Sequence, residues 1–243
     1  MLQIRQWIYR DFEEVSSTND AVKTLFETHQ KRCIVSSKRQ TSGRGRLGRK
    51  WESLEGNLFA SFAYQIEQKK VGQYAILSAL AAFETIRFFT PALELQIKWP
   101  NDILLMGKKI CGILFEKAEG NYFVMGVGIN VVAAPKVESP FYQATSLADF
   151  NVQADRKAVL EKLVSSFDAL EALYQQQGFN ILKQYWLDNA YGHGKKVCIK
   201  NHQSEISGVL KGLDETGALI LQTPEGTHKI FAGDLYGVND ENA

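Results

Sequence analysis

Residues 43–51 read Gly-Arg-Gly-Arg-Leu-Gly-Arg-Lys-Trp. Three glycines, three arginines and a lysine stand together there, and no carboxylate interrupts them. A glycine backbone bends through positive φ and comes close to a ligand. Arginine forks match phosphate and carboxylate oxygens. A loop of this make-up suits a polyanion held against main-chain N–H groups. A solvated basic loop is the plainer reading of an arbitrary basic nonamer. Here the glycine spacing and the terminal Trp51 favour a ligand loop. Gly43, Gly45 and Gly48 also fit G-x-G-x-x-G, but that fingerprint requires a strand before it and a helix after it. Residues 33–38 can supply the strand, whereas residues 52–57 (E-S-L-E-G-N) read as a turn and 58–66 as another strand. No dinucleotide fold is expected.

Three other stretches carry groups able to do chemistry. Lys98-Trp99-Pro100-Asn101-Asp102 closes a predicted strand. A plain turn explains Pro100 and Asn101 but not Lys98 and Trp99. A carboxylate beside a basic anion loop suits Mg²⁺, which takes one or two carboxylates plus substrate phosphates. Lys109 opens the uncharged run 110–115, and strict alternation puts Lys109, Cys111, Ile113 and Phe115 on one face. A lysine there needs an anionic partner or a route to water; protection of a sheet edge by Lys108 and Lys109 is an equal alternative. Gly112, and Gly126, Gly128 and Asn130 in V-M-G-V-G-I-N-V, mark close approach of a ligand or another backbone. Ser16, Ser17 and Thr18 precede a helix that opens at Asn19. One hydroxyl is accounted for as an N-cap, which leaves the others for a polar ligand.

The elements that must position these groups follow from periodicity. Strands are predicted over 4–9, 58–66, 94–99, 103–105, 109–117 and 122–132, with turns at 106–108 and 118–121. Helices are predicted over 19–28, 72–89, 155–175 and 179–187. After residue 192 short strands at 197–200, 205–213, 218–223 and 227–231 suggest a small β-barrel. A domain boundary is expected there, giving domains 1–191 and 192–243.

The chain has 243 residues, 45% apolar, with 28 basic and 27 acidic residues and a formal net charge of +1. That is enough for a sizeable core in one large and one small domain, and the charge gives no global attraction to nucleic acid or membranes. Cys33, Cys111 and Cys198 lack metal or disulfide spacing, and His29, His193, His202 and His228 are scattered. No apolar run reaches the ~18 residues of a membrane span and no signal peptide is recognisable, so a cytoplasmic protein is expected.

S-S-T-N, Q-T-S-G-R-G-R-L-G-R-K-W, K-W-P-N-D, K-I-C-G-I-L and G-V-G-I-N, in this order and spacing, closely resemble biotin protein ligases over essentially the whole chain. The resemblance implies an α+β catalytic domain of the class II aminoacyl-tRNA synthetase-like, biotin/lipoate ligase type. It would have a mixed sheet with helices on one face, followed by an SH3-like β-barrel. It implies that biotin and ATP with Mg²⁺ give biotinyl-5′-AMP and pyrophosphate, and that a lysine of a biotin carboxyl carrier protein then takes the biotinyl group. Ser17, Thr18, Asn19, Gln40, Gly43 and Gly112 would bind biotin. Arg44, Gly45 and Arg46 would close over biotin and its adenylate, and Lys109 would reach the activated carboxylate. Arg49, Trp51, Asn101, Asp102 and Asn130 would serve the adenylate, with Asp102 a metal ligand. Leu47 stands where bacterial relatives often carry another arginine, which removes one charge from the loop. Only sixteen residues precede Ser17, where regulatory members carry a winged-helix domain, so no DNA partner is expected. A homodimer built on residues 122–132 is a candidate. A lipoate or octanoate ligase would need a different ligand loop from residues 40–51. A nucleic-acid module would need aromatic–basic interleaving that this chain lacks elsewhere.

Overall fold

The run Leu58–Tyr64, Leu-Phe-Ala-Ser-Phe-Ala-Tyr, is buried at every position, as a strand covered on both faces must be. It lies inside the larger of two sheets in a computed structural model that describes residues 2–4, 6–118, 122–136, 143–201 and 204–239. His202, residue 5 of the first expected strand and residues 119–121 of an expected turn fall outside the described residues.

The elements of the first part are β1 (Leu2–Ile4), β2 (Trp7–Val15), α1 (Thr18–His29), β3 (Cys33–Gln40), β4 (Leu58–Tyr64), α2 (Val71–Phe89), β5 (Leu95–Lys98), β6 (Asp102–Leu105), β7 (Lys108–Lys117), β8 (Phe123–Ile129), α3 (Arg156–Gln177) and α4 (Phe179–Asp188). Their eight strands form one sheet in the order β1-β2-β3-β4-β8-β7-β6-β5. The β2–β3 pair is parallel and the other pairs are antiparallel, so the sheet is mixed. The second part holds β9 (Lys196–Lys200), β10 (Glu205–Leu213), β11 (Leu219–Thr223), β12 (Gly226–Ile230) and β13 (Asp234–Asn239). These make an antiparallel five-stranded sheet, ordered β12-β11-β10-β9-β13.

Three expectations are revised. The first strand ends at Ile4, and a second runs on to Val15. Its charges hid it. Glu14 pairs in register with Arg39 across to β3, and Lys38 and Arg39 form ion pairs with Glu13 and Glu14 at 2.8 and 3.2 Å, the cross-strand pairing that suits such a strand. The helices do not share one face. Leu77, Leu80 and Phe83 of α2 and Leu163 and Phe167 of α3 pack with Phe62, Met125 and Val127. Val22, Leu25 and Phe26 of α1 pack instead with Val35, Ala63 and Val124, the alternate residues of β3, β4 and β8. Side chains alternate along a strand, so α1 lies on the opposite face. Last, β13 had no counterpart in the expected strands; Gly237 sits in its sequence, and the register slips between Tyr236 and Val238.

The two parts share apolar packing: Val197, Ile199, Leu210, Leu219 and Leu235 belong to the same core as Phe62 and Phe167. Strand β8 is hydrogen-bonded on both edges, to β4 and to β7.

Candidate functional site

The face that carries α1 is also the face that carries the cleft. Residues opposite one another on neighbouring strands point the same way, and two such rows form the floor. Ser61 faces Gly126, which faces Leu114. Gly128 faces Gly112, which faces Asp102. Glycine is required in both rows because other side chains fill the space. A Cβ on Gly126 would lie 2.4 Å from Asn19 Oδ1; on Gly112 or Gly128 it would lie 2.6 or 2.5 Å from the Trp51 ring. The indole of Trp51 thus lies on the bare backbone of β7 and β8. Its Nε1 is buried with no hydrogen-bond partner among the described residues.

One end of the cleft is neutral. Helix α1 starts after Ser17, whose side chain makes no capping hydrogen bond. The expected side-chain cap is thus not made at Ser17, which lines the cleft. Gln40 Oε1 accepts from the Thr18 backbone N–H at 2.9 Å and from Thr18 Oγ1 at 3.0 Å. Ser61 Oγ lies 2.7 Å from Thr18 Oγ1 and 2.5 Å from Asn19 Oδ1. Its single proton can serve only one of these acceptors at a time. Asn19 Nδ2 donates to Glu116 Oε2 at 2.9 Å.

The loop of residues 43–51 crosses between the two ends, with Arg44 on Asp20 and Arg46 on Asp234. Its stem is set by main-chain bonds from Thr41 N to Val15 O and from Trp51 N to Gly43 O. Gly43 fits the stem because a Cβ there would meet Trp51 O at 2.6 Å. Arg44 donates twice to the Asp20 carboxylate, at 2.8 and 2.7 Å. Those hydrogen bonds hold the Asp20 carboxyl below the usual carboxylate range. Leu47 sits at φ 56°, in the left-handed region, is 56% exposed and is not part of the cleft wall.

The other end is charged. A bulge between β6 and β7 pairs Ile103 with Cys111 but Leu104 with Lys109, leaving Ile110 as the extra residue. Ile110 and Cys111 both enter the core, so Lys109 shares a face with Gly112, not with Cys111 as strict alternation predicts. Bulges re-aim side chains in this way. Lys109 Nζ makes an ion pair with Asp102 Oδ1 at 2.7 Å and lies 5.5 Å from the centre of the Trp51 ring. Because β7 is an interior strand, the edge-protection reading of Lys109 fails. The Lys109 backbone is clamped by bonds from its N–H to Gln143 O and from Thr145 N to its own carbonyl. Asn130, which itself lines the cleft, donates from Nδ2 to Thr145 O at 2.9 Å. Burial pushes the Lys98 ammonium below its ordinary value; Asp102 pulls it back up and Lys109 pushes it further down. Arg46 Nη1 donates to Asn101 Oδ1, Gly233 O and Asp234 Oδ1 at 3.3, 3.1 and 3.0 Å, and Arg49 pairs with the same Asp234.

One cleft of about 340 Å³ is lined by Ser17, Thr18, Asn19, Gln40, Arg44, Gly45, Arg46, Arg49, Trp51, Asn101, Asp102, Lys109, Gly112 and Asn130. Gly43 stands behind it in the loop stem. Three contributors escaped the sequence reading. Ser61 was hidden in an apolar strand, where a lone hydroxyl signals a buried partner. Asp20 stands in the first turn of α1, where an acidic residue is ordinary. Asp234 lies on the strand that was not foreseen. Asp102 is the only acidic residue of the sequence-predicted set, and the described residues contain no group of three His, Cys, Asp or Glu placed to hold a metal.

Residues 12–131 match the Biotin/lipoate A/B protein ligase family, and residues 192–235 match the Biotin protein ligase C terminal domain. The chain is 33% identical to a bifunctional ligase/repressor BirA of Bacillus subtilis, over 94% of this chain and 73% of that protein. It is 30% identical to a biotin--[acetyl-CoA-carboxylase] ligase of Paracoccus denitrificans, over 83% of this chain and 89% of that one. Among solved structures, the biotin protein ligase of Aquifex aeolicus in complex with biotin and ATP superposes with a TM-score of 0.82 at 30% identity. The match covers 94% of this chain and 97% of that one.

Proposed function

The chain belongs to the biotin protein ligase family, and on that premise we propose that its cleft takes the biotin ring system at the neutral end and the adenylate at the charged end. The enzyme activates biotin with ATP and transfers the biotinyl group to a lysine of a carboxyl carrier protein. In the first step a biotin carboxylate oxygen attacks the α-phosphorus of ATP and pyrophosphate leaves. In the second the carrier lysine amine attacks the acyl carbon. An amide forms, AMP leaves with the bonding electron pair, and the amine loses a proton.

The observation that carries the reading is the convergence on one cleft of the Thr18–Gln40 pair, backed by Ser61, and of Lys109 with the loop arginines. Ser17, Thr18, Asn19 and Gln40 offer both donors and acceptors to a neutral urea-like ring, at a depth where unpaired polar groups are costly. Lys109, held near Asp102, reaches over the Gly112 floor to the reacting carboxylate. Arg44, Arg46 and Arg49 face charge that builds on phosphorus, the arrangement that stabilises phosphoryl transfer. Trp51 Nε1 offers a donor on the adenylate side, and Asn101 orients Arg46. A closed loop also excludes water that would hydrolyse the mixed anhydride. Mg²⁺ fits as an ion held by Asp102 together with phosphate oxygens, since it uses few protein carboxylates; bound there, it would neutralise phosphate charge.

We assign residues 1–191 to the catalytic domain and 192–243 to a C-terminal domain. The partner is a carrier protein, and neither DNA nor a membrane is part of the reaction. No helix among the described residues is long and apolar enough to cross a membrane; we place the enzyme in the cytoplasm. A homodimer through residues 122–132 would have to use a face of β8, because both its edges are bonded.

Pyrophosphate release tests the function. Biotin with Mg²⁺-ATP should give release and lipoate should not. Release with lipoate alone would move the chain to the sister activity.

A further inference from the structure

The C-terminal sheet sends one carboxylate into the cleft. Asp234 is the first residue of β13 and part of the cleft wall. Its Oδ1 takes Arg46 Nη1 at 3.0 Å and its Oδ2 takes Arg49 Nη2. The side chains of Asp234 and Arg46 are only 16% and 22% exposed, so the pair is less screened than a surface bridge. Arg46 also donates to the Gly233 carbonyl at 3.1 Å. The turn that presents that carbonyl is constrained: Gly233 has φ +150°, and a Cβ there would lie 2.7 Å from Ile199 Cγ2. Around Asp234 the wall is cationic. Lys98 of the same wall lies 5.9 Å from the ring centre of Tyr236, two residues further along β13.

We propose that Asp234 is a positioning residue for adenylation, which holds Arg46 and Arg49 over the cleft and yields them to the phosphates of ATP. This inference rests on the ligase reading above. Two consequences oppose one another. A carboxylate among the phosphate-facing arginines repels a polyanion and weakens ATP binding. The same carboxylate fixes where the two guanidinium groups stand, which costs a flexible, glycine-rich loop conformational freedom that substrate would otherwise have to remove. Asp234 therefore raises KM for ATP and raises kcat. A residue that merely tied two domains together would move neither parameter in this opposed way.

The test uses the full-length enzyme with Asp234→Asn and Asp234→Glu, following pyrophosphate release at saturating biotin and varied Mg²⁺-ATP. Asp234→Asn should lower KM for ATP and lower kcat, each by about fivefold, the scale of a partly exposed ion pair. Asp234→Glu should restore most of kcat. Without substrates, trypsin should cut within residues 44–50 several-fold faster in Asp234→Asn than in wild type. Should Asp234→Asn fail to fold, wild type alone decides. Its loop should be cut faster at high salt, once corrected with an unstructured reporter peptide, because screening weakens the pairs. KM for ATP that stays unchanged or rises, a kcat that does not fall, or loop cleavage blind to both Asp234 and salt, overturns the proposal. Absence of biotin-dependent release in wild type would instead sink the ligase reading; the proteolysis result does not depend on it.

Discussion

The two ends of the cleft are built by opposite means. At the neutral end Thr18, Asn19 and Ser61 are nearly or wholly buried and satisfy one another by short hydrogen bonds. At the charged end the groups are held by ion pairs, Lys109 with Asp102 and Arg46 and Arg49 with Asp234. A buried neutral network is stiff, since breaking one bond leaves the partner unsatisfied. Ion pairs are exchangeable, because a phosphate oxygen can replace a carboxylate with the same geometry. The first end suits a fixed heterocycle. The second suits a reaction in which charge arrives as ATP, moves and leaves as pyrophosphate. Losing a group at the charged end should therefore cost rate, and at the neutral end affinity and stability.

The largest effect is expected at Lys109. Lys109→Ala removes the cation proposed above to reach the reacting carboxylate and should lower biotinyl-AMP formation by about 10²–10³, the scale of losing one positioned electrostatic donor. Single-turnover formation of the adenylate, with melting measured alongside, checks it. Wild-type rate in a normally melting variant would remove Lys109 from the chemistry and break the contrast between the two ends.

Gly128 comes next. Gly128→Ala places a Cβ 2.5 Å from the Trp51 ring and must lift the indole from the floor. Overpacking of this kind costs about 1–3 kcal/mol, so KM for ATP should rise about tenfold. Titration of the tryptophan fluorescence by ATP offers an independent reading. An unchanged KM would mean that the ring is free to move, and that the glycine row does not shape the adenylate side.

At the neutral end Ser61→Ala removes the hydroxyl shared by Thr18 and Asn19. The buried Asn19 Oδ1 then loses that contact, at about 1–3 kcal/mol. Melting should fall by several degrees and KM for biotin should rise, with kcat for adenylation nearly kept. A fall in kcat with KM for biotin unchanged would erase the division of labour.

How much of this was legible in the sequence depends on whether a feature is local. The loop 43–51 and Lys98–Asp102 carry their charge and turn residues in composition, and residues of both line the cleft. The helices 72–89 and 155–175 were legible because a wide apolar stripe has one reading. What could not be read was relational. The face of Lys109 depends on a bulge at Ile110, and nothing in K-K-I-C-G-I-L announces an extra residue. Ser61 matters because of Asn19, forty-two residues earlier. Strand β2 is polar because its partner β3 supplies opposite charges, and β13 is short and interrupted by Gly237. Asp234 became visible only when that strand placed it against Arg46.

The smallest expected effect lies away from the cleft, in the turn Asp214–Gly217 that ties the two parts together. Gln73 Nε2 donates to Glu215 O there at 2.6 Å, and Gly72 allows the approach, since a Cβ would lie 2.2 Å from Thr216 O. Burial pushes the Asp214 carboxyl up. Hydrogen bonds from the Thr216 side chain, from Lys229 and from the Thr216 and Ala218 backbone N–H groups outweigh it and bring the group down to about 2. An unfolded aspartate titrates at about 3.9. The folded value is the lower one, so the stabilisation is complete above the unfolded value and is lost as pH falls from about 4 through 2. Asp214→Asn keeps the turn acceptor and removes the charge that Lys229 meets at 3.0 Å. It should cost about 1 kcal/mol near neutrality, a modest figure because the Lys229 end of the pair lies in water. Urea midpoints of both proteins from pH 7 to pH 3 should show the gap between them narrowing below about pH 4. A gap that is constant or widens with acid would mean that Asp214 acts through turn geometry alone, and that exchangeable charge is confined to the cleft.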